Sequence, residues 1–88
     1  INAYKGFLEE FYSFLDDICS KSFDNFEISK QFYFDYKVKI LKENDYYKVC
    51  SEDVCKKLVC NYEINEKEFE KGDNIVKIKI EGNKLIVF

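Results

Sequence analysis

The chain of 88 residues contains no histidine, arginine, proline, methionine or tryptophan. Without histidine it lacks the commonest general base, a usual zinc ligand and every Ser-His or Cys-His nucleophile arrangement. It also has no glycine-rich phosphate loop, because its glycines are only Gly6, Gly72 and Gly82. We therefore expect a protein that is not an enzyme, with no catalytic residue and no cofactor.

The charge pattern argues against a nucleic-acid partner. Fourteen lysines stand against 17 acidic residues, for a net charge of −3. A nucleic-acid-binding protein normally has a basic face and arginines for bidentate contacts, and interspersed lysines supply neither. There is also no run of about 18 apolar residues that would span a membrane. Because the chain begins at Ile1 and contains no Met, we expect a processed product or a piece of a longer protein.

The apolar content is sufficient for a packed interior. Hydrophobic residues make up 47% of the chain and include nine Phe and seven Tyr, which is unlike a disordered segment. A chain of this length has no room for a second core, so residues 1–88 are predicted to form one domain. Domains near this size limit often add disulfides, a metal or a partner.

The N-terminal quarter has the pattern of an amphipathic helix. Apolar residues recur at three- and four-residue spacing and fill one half of a helical wheel, with polar residues on the other half. These apolar residues are Tyr4, Phe7, Leu8, Phe11, Tyr12, Phe14, Leu15, Ile18 and Cys19. The pattern predicts a helix over about residues 2 to 20.

After a polar loop the period changes to two, which is typical of half-buried strands. The alternating apolar positions are Phe26, Ile28, Phe32, Phe34, Tyr36, Val38 and Ile40, and a bend or break is expected near Lys30. Further strands are predicted over 46–50, 54–64, 75–80 and 85–88, with a surface loop over 65–74 and a type II′ turn at Gly82-Asn83. The predicted fold class is α+β, with the N-terminal helix packed on a single antiparallel sheet of about five strands.

Four cysteines form the main candidate site: Cys19 near the helix end, then Cys50, Cys55 and Cys60 at five-residue spacing. Thiolate metal sites usually contain a C-x-x-C pair, which is missing, although four-residue gaps can still ligate zinc or an iron–sulfur cluster. Inert free thiols of a cytosolic protein are a second alternative. The interpretation favoured here is two disulfides and no metal ligand.

Strand parity predicts how the cysteines pair. Cys60 shares its face with Leu58, Tyr62 and Ile64, which is the core face, and Cys19 lies on the apolar half of the helix, so these two should meet. Cys50 and Cys55 flank a short turn and have the opposite parity. We therefore predict Cys19–Cys60 and Cys50–Cys55 bridges, which imply an oxidising compartment.

Other polar and aromatic residues are expected to have structural rather than functional roles. The paired acids Glu9-Glu10, Asp16-Asp17 and Glu52-Asp53 are expected on solvated surfaces, since a catalytic carboxylate pair needs a concave, partly dry site. Tyr33, Tyr46 and Tyr47 are expected to pack against the sheet rather than to make adhesive contacts.

A long N-terminal helix, an antiparallel sheet with late cysteines and a C-terminal strand together resemble the soluble head of an archaeal type IV pilin-like protein with a class III signal peptide. The segments that carry the resemblance are residues 1–19, 46–50 and 74–80. The apolar helix of that family would precede Ile1. The resemblance implies a structural or adhesive subunit of a surface filament or secretion-type complex, located outside the cell or on its surface. Its partners would be protein subunits, copies of itself among them, with membrane contact only through the missing N-terminal segment.

Two other function classes stay open. The alternative is a small intracellular, cytoplasmic interaction module, an inhibitor or accessory subunit, that docks a protein through the acidic segment 66–73 or an exposed sheet face. A more distant possibility is a cysteine-ligated metal protein. Titration of free thiols separates these classes, because no free thiol favours the secreted subunit and four favour the intracellular module.

Overall fold

A computed structural model describes residues 9–88 of the chain. Within this range there are one helix and eight strands. The helix is α1 (Glu9–Cys19), and the strands are β1 (Asn25–Phe34), β2 (Val38–Lys42), β3 (Tyr47–Ser51), β4 (Val54–Leu58), β5 (Glu63–Ile64), β6 (Lys67–Phe69), β7 (Gly72–Glu81) and β8 (Lys84–Val87). The described part of the chain is therefore mainly β.

The eight strands form two four-stranded sheets. Sheet A has the order β1-β7-β8-β5, and sheet B has the order β4-β3-β2-β6. All pairings are antiparallel except that of β5 with β8, which is parallel. The longest ladder joins β1 to β7 and runs from the Asn25–Glu81 pair to the Phe34–Gly72 pair.

The prediction of an α+β fold with one sheet of about five strands is wrong. The alternating run does break, but at residues 35–37 rather than near Lys30, and the break carries the chain from sheet A into sheet B. Alternation continues across the break because both strands turn one side to the same interior. Parity therefore did not reveal that the strands belong to different sheets.

One hydrophobic cluster fills the space between the two sheets and the helix. Phe34 of sheet A and Phe69 of sheet B are both buried, and their ring centroids are 5.6 Å apart. A polar contact also links the sheets, because the backbone N–H of Ile64 donates to the hydroxyl of buried Tyr47 at 3.0 Å. The interior is thus shared by both sheets.

The sequence predicted that the helix lies along one face of a single sheet, and this prediction is wrong for α1. On one side the Phe14 ring lies 5.3 Å from the Phe32 ring of β1. On the other side the Tyr12 hydroxyl donates to the Lys57 carbonyl of β4. Since β1 and β4 are edge strands of different sheets, the helix closes the opening between them. It ends at Cys19, and the predicted helical residues 2–8 lie outside the described part of the chain.

The predicted surface loop over residues 65–74 is also wrong. It contains strand β6, which pairs with β2, and the first residues of β7. Phe69 is only 4% exposed and contacts the Phe11 and Phe34 rings. A single buried aromatic ring therefore anchors a segment whose other residues are mostly polar.

Candidate functional sites: two disulfides and two sheet faces

Cys19 and Cys60 form a disulfide that ties the end of the helix to the segment between β4 and β5. Their Cα atoms are 4.5 Å apart and their sequence separation is 41 residues. Cys19 is 1% exposed and belongs to the core, and Cys60 packs partly buried against it. By chain entropy, a loop of this length contributes about 4 kcal/mol to stability.

Hydrogen bonds complete the helix end, where the last carbonyls of a helix have no partner inside the helix. The Asn61 N–H donates to the Cys19 carbonyl at 3.2 Å. The Tyr62 hydroxyl donates to the Lys21 carbonyl and accepts from the Phe23 N–H, both at 2.7 Å. The disulfide and these hydrogen bonds together fasten the end of the helix to the segment between β4 and β5.

Cys50 and Cys55 form the second disulfide, between directly opposed residues of β3 and β4. Their Cα atoms are 4.0 Å apart. The bridge lies on the outer face of sheet B, because the alternate residues Val49 and Leu58 face the core. Cys55 is exposed, whereas Cys50 is only 5% exposed. The turn between the strands contains Glu52, whose φ of 55° lies in the left-handed region that residues other than glycine rarely adopt.

These are the two pairs that strand parity indicated, and all four cysteines are bonded. No sulfur is left to ligate a metal, and residues 9–88 contain no cluster of three or more potential ligands suited to one. Two disulfides are typical of proteins from oxidising, extracellular environments. No helix in this range is long and apolar enough to cross a bilayer.

Lysines surround the exposed disulfide on the outer face of sheet B. Lys39 lies directly opposite Cys50 on β2, and Lys37, Lys39, Cys50 and Glu52 line a small cleft. Lys37 Nζ lies 2.9 Å from Glu68 Oε2. Because of this hydrogen bond and ion pair, the pKa of Glu68 is lowered and the pKa of Lys37 is raised.

Two further lysines on this face increase its positive charge. Lys48 and Lys57 are directly opposed on β3 and β4, an arrangement that is destabilising for like charges. Lys48 lies 3.8 Å from Glu43, and Lys57 lies over the Tyr46 ring at 4.9 Å. This cluster was not predicted from the sequence. A signal for it was present, because Lys37, Lys39 and Cys50 all alternate with the core residues of the hairpin and so fall on its outer face.

The outer face of sheet A carries an apolar patch formed by Tyr33, Ile75 and Phe88. Their exposures are 65%, 71% and 50%. Ile75 pairs with Gln31, next to the Tyr33–Asp73 pair, and the Phe88 N–H donates to the Lys77 carbonyl at 2.9 Å. The three side chains therefore occupy neighbouring positions on one face.

Charged pairs border this apolar patch. Lys77 Nζ lies 2.9 Å from Glu27 Oε2, and Lys79 Nζ lies 3.3 Å from Glu81 Oε2. The hydrogen bond and charge of Lys77 lower the pKa of Glu27. The expectation that Tyr33 packs against the sheet is not met, because its ring is exposed, whereas Tyr47 is buried and Tyr46 is half-buried.

The paired acids lie on the surface, as expected. All six carboxylate residues of these pairs are exposed. Glu9 contacts Lys56 Nζ at 2.8 Å, and Asp17 contacts Lys21 Nζ at 3.2 Å. The groove beside β5 is likewise crossed by a surface ion pair, between Lys42 and Glu63 at 3.3 Å. These contacts hold elements together and do not bring two carboxylates into a dry cleft.

Comparison with known proteins adds no relative. No protein-family model, no curated protein and no solved structure matches the chain. The type IV pilin-like resemblance stays a prediction. Its architectural part, a helix over a single sheet, is the part that the described residues contradict.

Proposed function

We propose that this chain is a non-catalytic structural or adhesive subunit of the cell surface or extracellular space, and that it binds a second copy of itself through the outer face of sheet A. The observation that carries the proposal is the apolar patch of Tyr33, Ile75 and Phe88. Contiguous exposed apolar groups on a small protein are typical of interaction sites. The two disulfides support a location outside the reducing cytoplasm.

Charge complementarity supports a second copy as the occupant. Asp73 and Lys77 flank Ile75 at two residues on either side, on the same face of β7. A two-fold axis that lies in the interface over Ile75 and perpendicular to β7 places Asp73 of one copy opposite Lys77 of the other, and the reverse. Lys77 would then contact both this Asp73 and Glu27 of its own copy. Two-fold interfaces of this self-complementary kind are the commonest in homo-oligomers. Such a dimer is the smallest assembly that a structural subunit would form.

Sedimentation velocity over a range of protein concentrations tests the proposal. The unmodified chain is expected to dimerise as concentration rises, and Ile75→Lys is expected to remain monomeric. Val59→Lys is the matched control, because Val59 is 65% exposed but lies outside both sheets. A monomer at every concentration, or equal effects of the two lysine variants, would rule out this face.

Charge reversal tests the orientation of the two copies. Asp73→Lys places lysines opposite Lys77 and is expected to weaken the dimer. The single variant Lys77→Asp is measured as well, because it also removes the ion pair with Glu27 of the same chain. The double variant Asp73→Lys/Lys77→Asp is expected to dimerise more tightly than the two single changes predict when added together, because the opposite charges then meet again. If the effects of the two single changes simply add in the double variant, the proposed two-fold axis is wrong even where dimerisation itself persists.

A further inference from the structure

We propose that the Cys50–Cys55 disulfide is a thiol-exchange site that reacts with small anionic thiols at Cys55. Exposed disulfides are the labile or regulatory ones, whereas buried structural disulfides resist reduction. The two bridges of this chain differ in this respect. Cys55 is exposed, whereas Cys19 of the other bridge is 1% exposed and part of the core.

The direction of attack follows from the sheet order. A thiolate must approach a disulfide sulfur from the side opposite the bond that breaks. Strand β4 is an edge strand of sheet B, and helix α1 contacts it at Lys56 and Lys57. No further strand of the described residues flanks Cys55, which is exposed, on the side away from Cys50. Attack on Cys50 is hindered, because that residue is 5% exposed and has Lys39 of β2 directly beside it.

The reaction proceeds in two exchange steps. The sulfur of an incoming thiolate forms a new S–S bond with Cys55, the Cys50–Cys55 bond breaks, and its electron pair leaves on the Cys50 sulfur as a thiolate. A second small thiolate then attacks the sulfur of the first small thiol in the mixed disulfide, and Cys55 leaves as a thiolate. In total, two small thiols are oxidised to one disulfide, the protein bridge is reduced, and the two cysteines take up the protons that the small thiols lost.

The lysines favour both the attacking and the leaving groups. Lys37, Lys39 and Glu52 line the cleft that contains Cys50, and Lys37 is already paired with Glu68. We therefore assign stabilisation of the leaving Cys50 thiolate mainly to Lys39, since nearby cations favour a thiolate. The same charges attract a thiol that carries carboxylates. Lys48 and Lys57 lie on the same outer face and add to this field.

The fold is expected to survive opening of the bridge. Strands β3 and β4 remain paired from Tyr47–Leu58 to Ser51–Val54, and the Cys19–Cys60 bridge stays in place. The bridge closes only a short loop, with a sequence separation of 5 residues, so it contributes only about half as much stability as Cys19–Cys60. Reduction therefore changes the chemistry of this face more than the fold.

Kinetic mapping of reduction tests the site. The native protein is treated with glutathione, which is anionic, or with cysteamine, which is cationic, at matched thiolate concentration. The reaction is quenched by alkylation, and each cysteine is followed by peptide mass spectrometry. Cys50–Cys55 is expected to open on the order of 100-fold faster than Cys19–Cys60, with the first glutathione adduct on Cys55. Equal rates for the two bridges, or a first adduct on Cys50, would overturn the proposal.

Lysine variants test the role of charge. Lys39→Gln is expected to lower the ratio of the glutathione rate to the cysteamine rate by about fivefold. Lys84→Gln is the matched control, because Lys84 is an exposed lysine of sheet A and its loss should leave that ratio unchanged. If the two variants change the ratio equally, the lysines beside Cys50 do not select the thiol.

Discussion

Phe11 of the helix and Phe69 of β6 lie edge to face, with ring centroids 5.7 Å apart and an interplanar angle of 80°. Phe11 also meets Phe32 and Phe34 of β1, each at 5.3 Å and in an edge arrangement. One fully buried ring therefore joins the helix to both sheets. Aromatic pairs of this geometry stabilise beyond the area they bury.

Phe11→Ala should accordingly lower the free energy of unfolding by about 3 to 5 kcal/mol, because it leaves a cavity at the contact of three elements. Urea denaturation followed by circular dichroism measures the change. Val59→Ala is the control and should change stability by less than about 0.5 kcal/mol, since Val59 is exposed. A loss below about 1 kcal/mol for Phe11→Ala would mean that this ring is not part of a packed core.

The two disulfides should contribute unequally to thermal stability. Cys19→Ser/Cys60→Ser should lower the melting temperature by more than about 10 °C, from a loss of about 4 kcal/mol at about 4 to 8 °C per kcal/mol. Cys50→Ser/Cys55→Ser should lower it by roughly half as much, because its loop contributes about 2 kcal/mol. Calorimetry of both double variants checks the order, and the reverse order would contradict the chain-entropy account.

The Tyr62 hydroxyl is predicted to stabilise the helix junction through its two hydrogen bonds to the backbone at Lys21 and Phe23. Tyr62→Phe leaves a backbone donor and acceptor without this partner and should cost about 1 to 3 kcal/mol. Tyr33→Phe removes the same atom from an exposed ring and serves as the control. Equal stability of the two variants in chemical denaturation would show that water replaces the Tyr62 hydroxyl.

Stability should decline in acid partly through Glu27. Its folded pKa is lowered from the ordinary 4.5 by Lys77, so its stabilising contribution is present above about pH 4.5 and disappears as pH falls through the folded pKa. Glu27→Gln should flatten the fall in stability over that interval. The same measurement in 1 M salt should shrink the difference between the two proteins, because the pair is exposed and screened. An unchanged slope in Glu27→Gln would exclude the contribution of this pair.

Two turn residues in the left-handed region should respond in opposite directions. Gly82 has a φ of 63°, with open space around the position of a Cβ atom. Gly82→Ala should therefore cost about 1 to 2 kcal/mol from backbone conformation alone. Glu52 has a φ of 55°, so Glu52→Gly should not destabilise and should stabilise by up to about 1 kcal/mol. Destabilisation by both changes would mean that Glu52 contributes through its side chain.

Several features of the structure were readable in the sequence because they depend on local periodicity. Parity placed Cys60 on the face of Leu58 and Ile64 and placed Cys50 and Cys55 across a hairpin, and both bridges join these residues. The glycine in the first central position of the β7–β8 turn has the positive φ that the predicted turn requires. Such features follow from which way each residue of a strand or helix points.

The tertiary structure alone decided how the strands divide between two sheets and what the helix covers. Alternation shows which side of a strand is buried but not which strand it pairs with, because backbone donors and acceptors are the same in every residue. In the structure, β1 pairs with β7, which is distant in sequence, and not with β2, the next strand along the chain. The apolar patch at Ile75 results from that long-range pairing, which brings Tyr33 of β1 beside β7, so it could not be located from the order of residues alone.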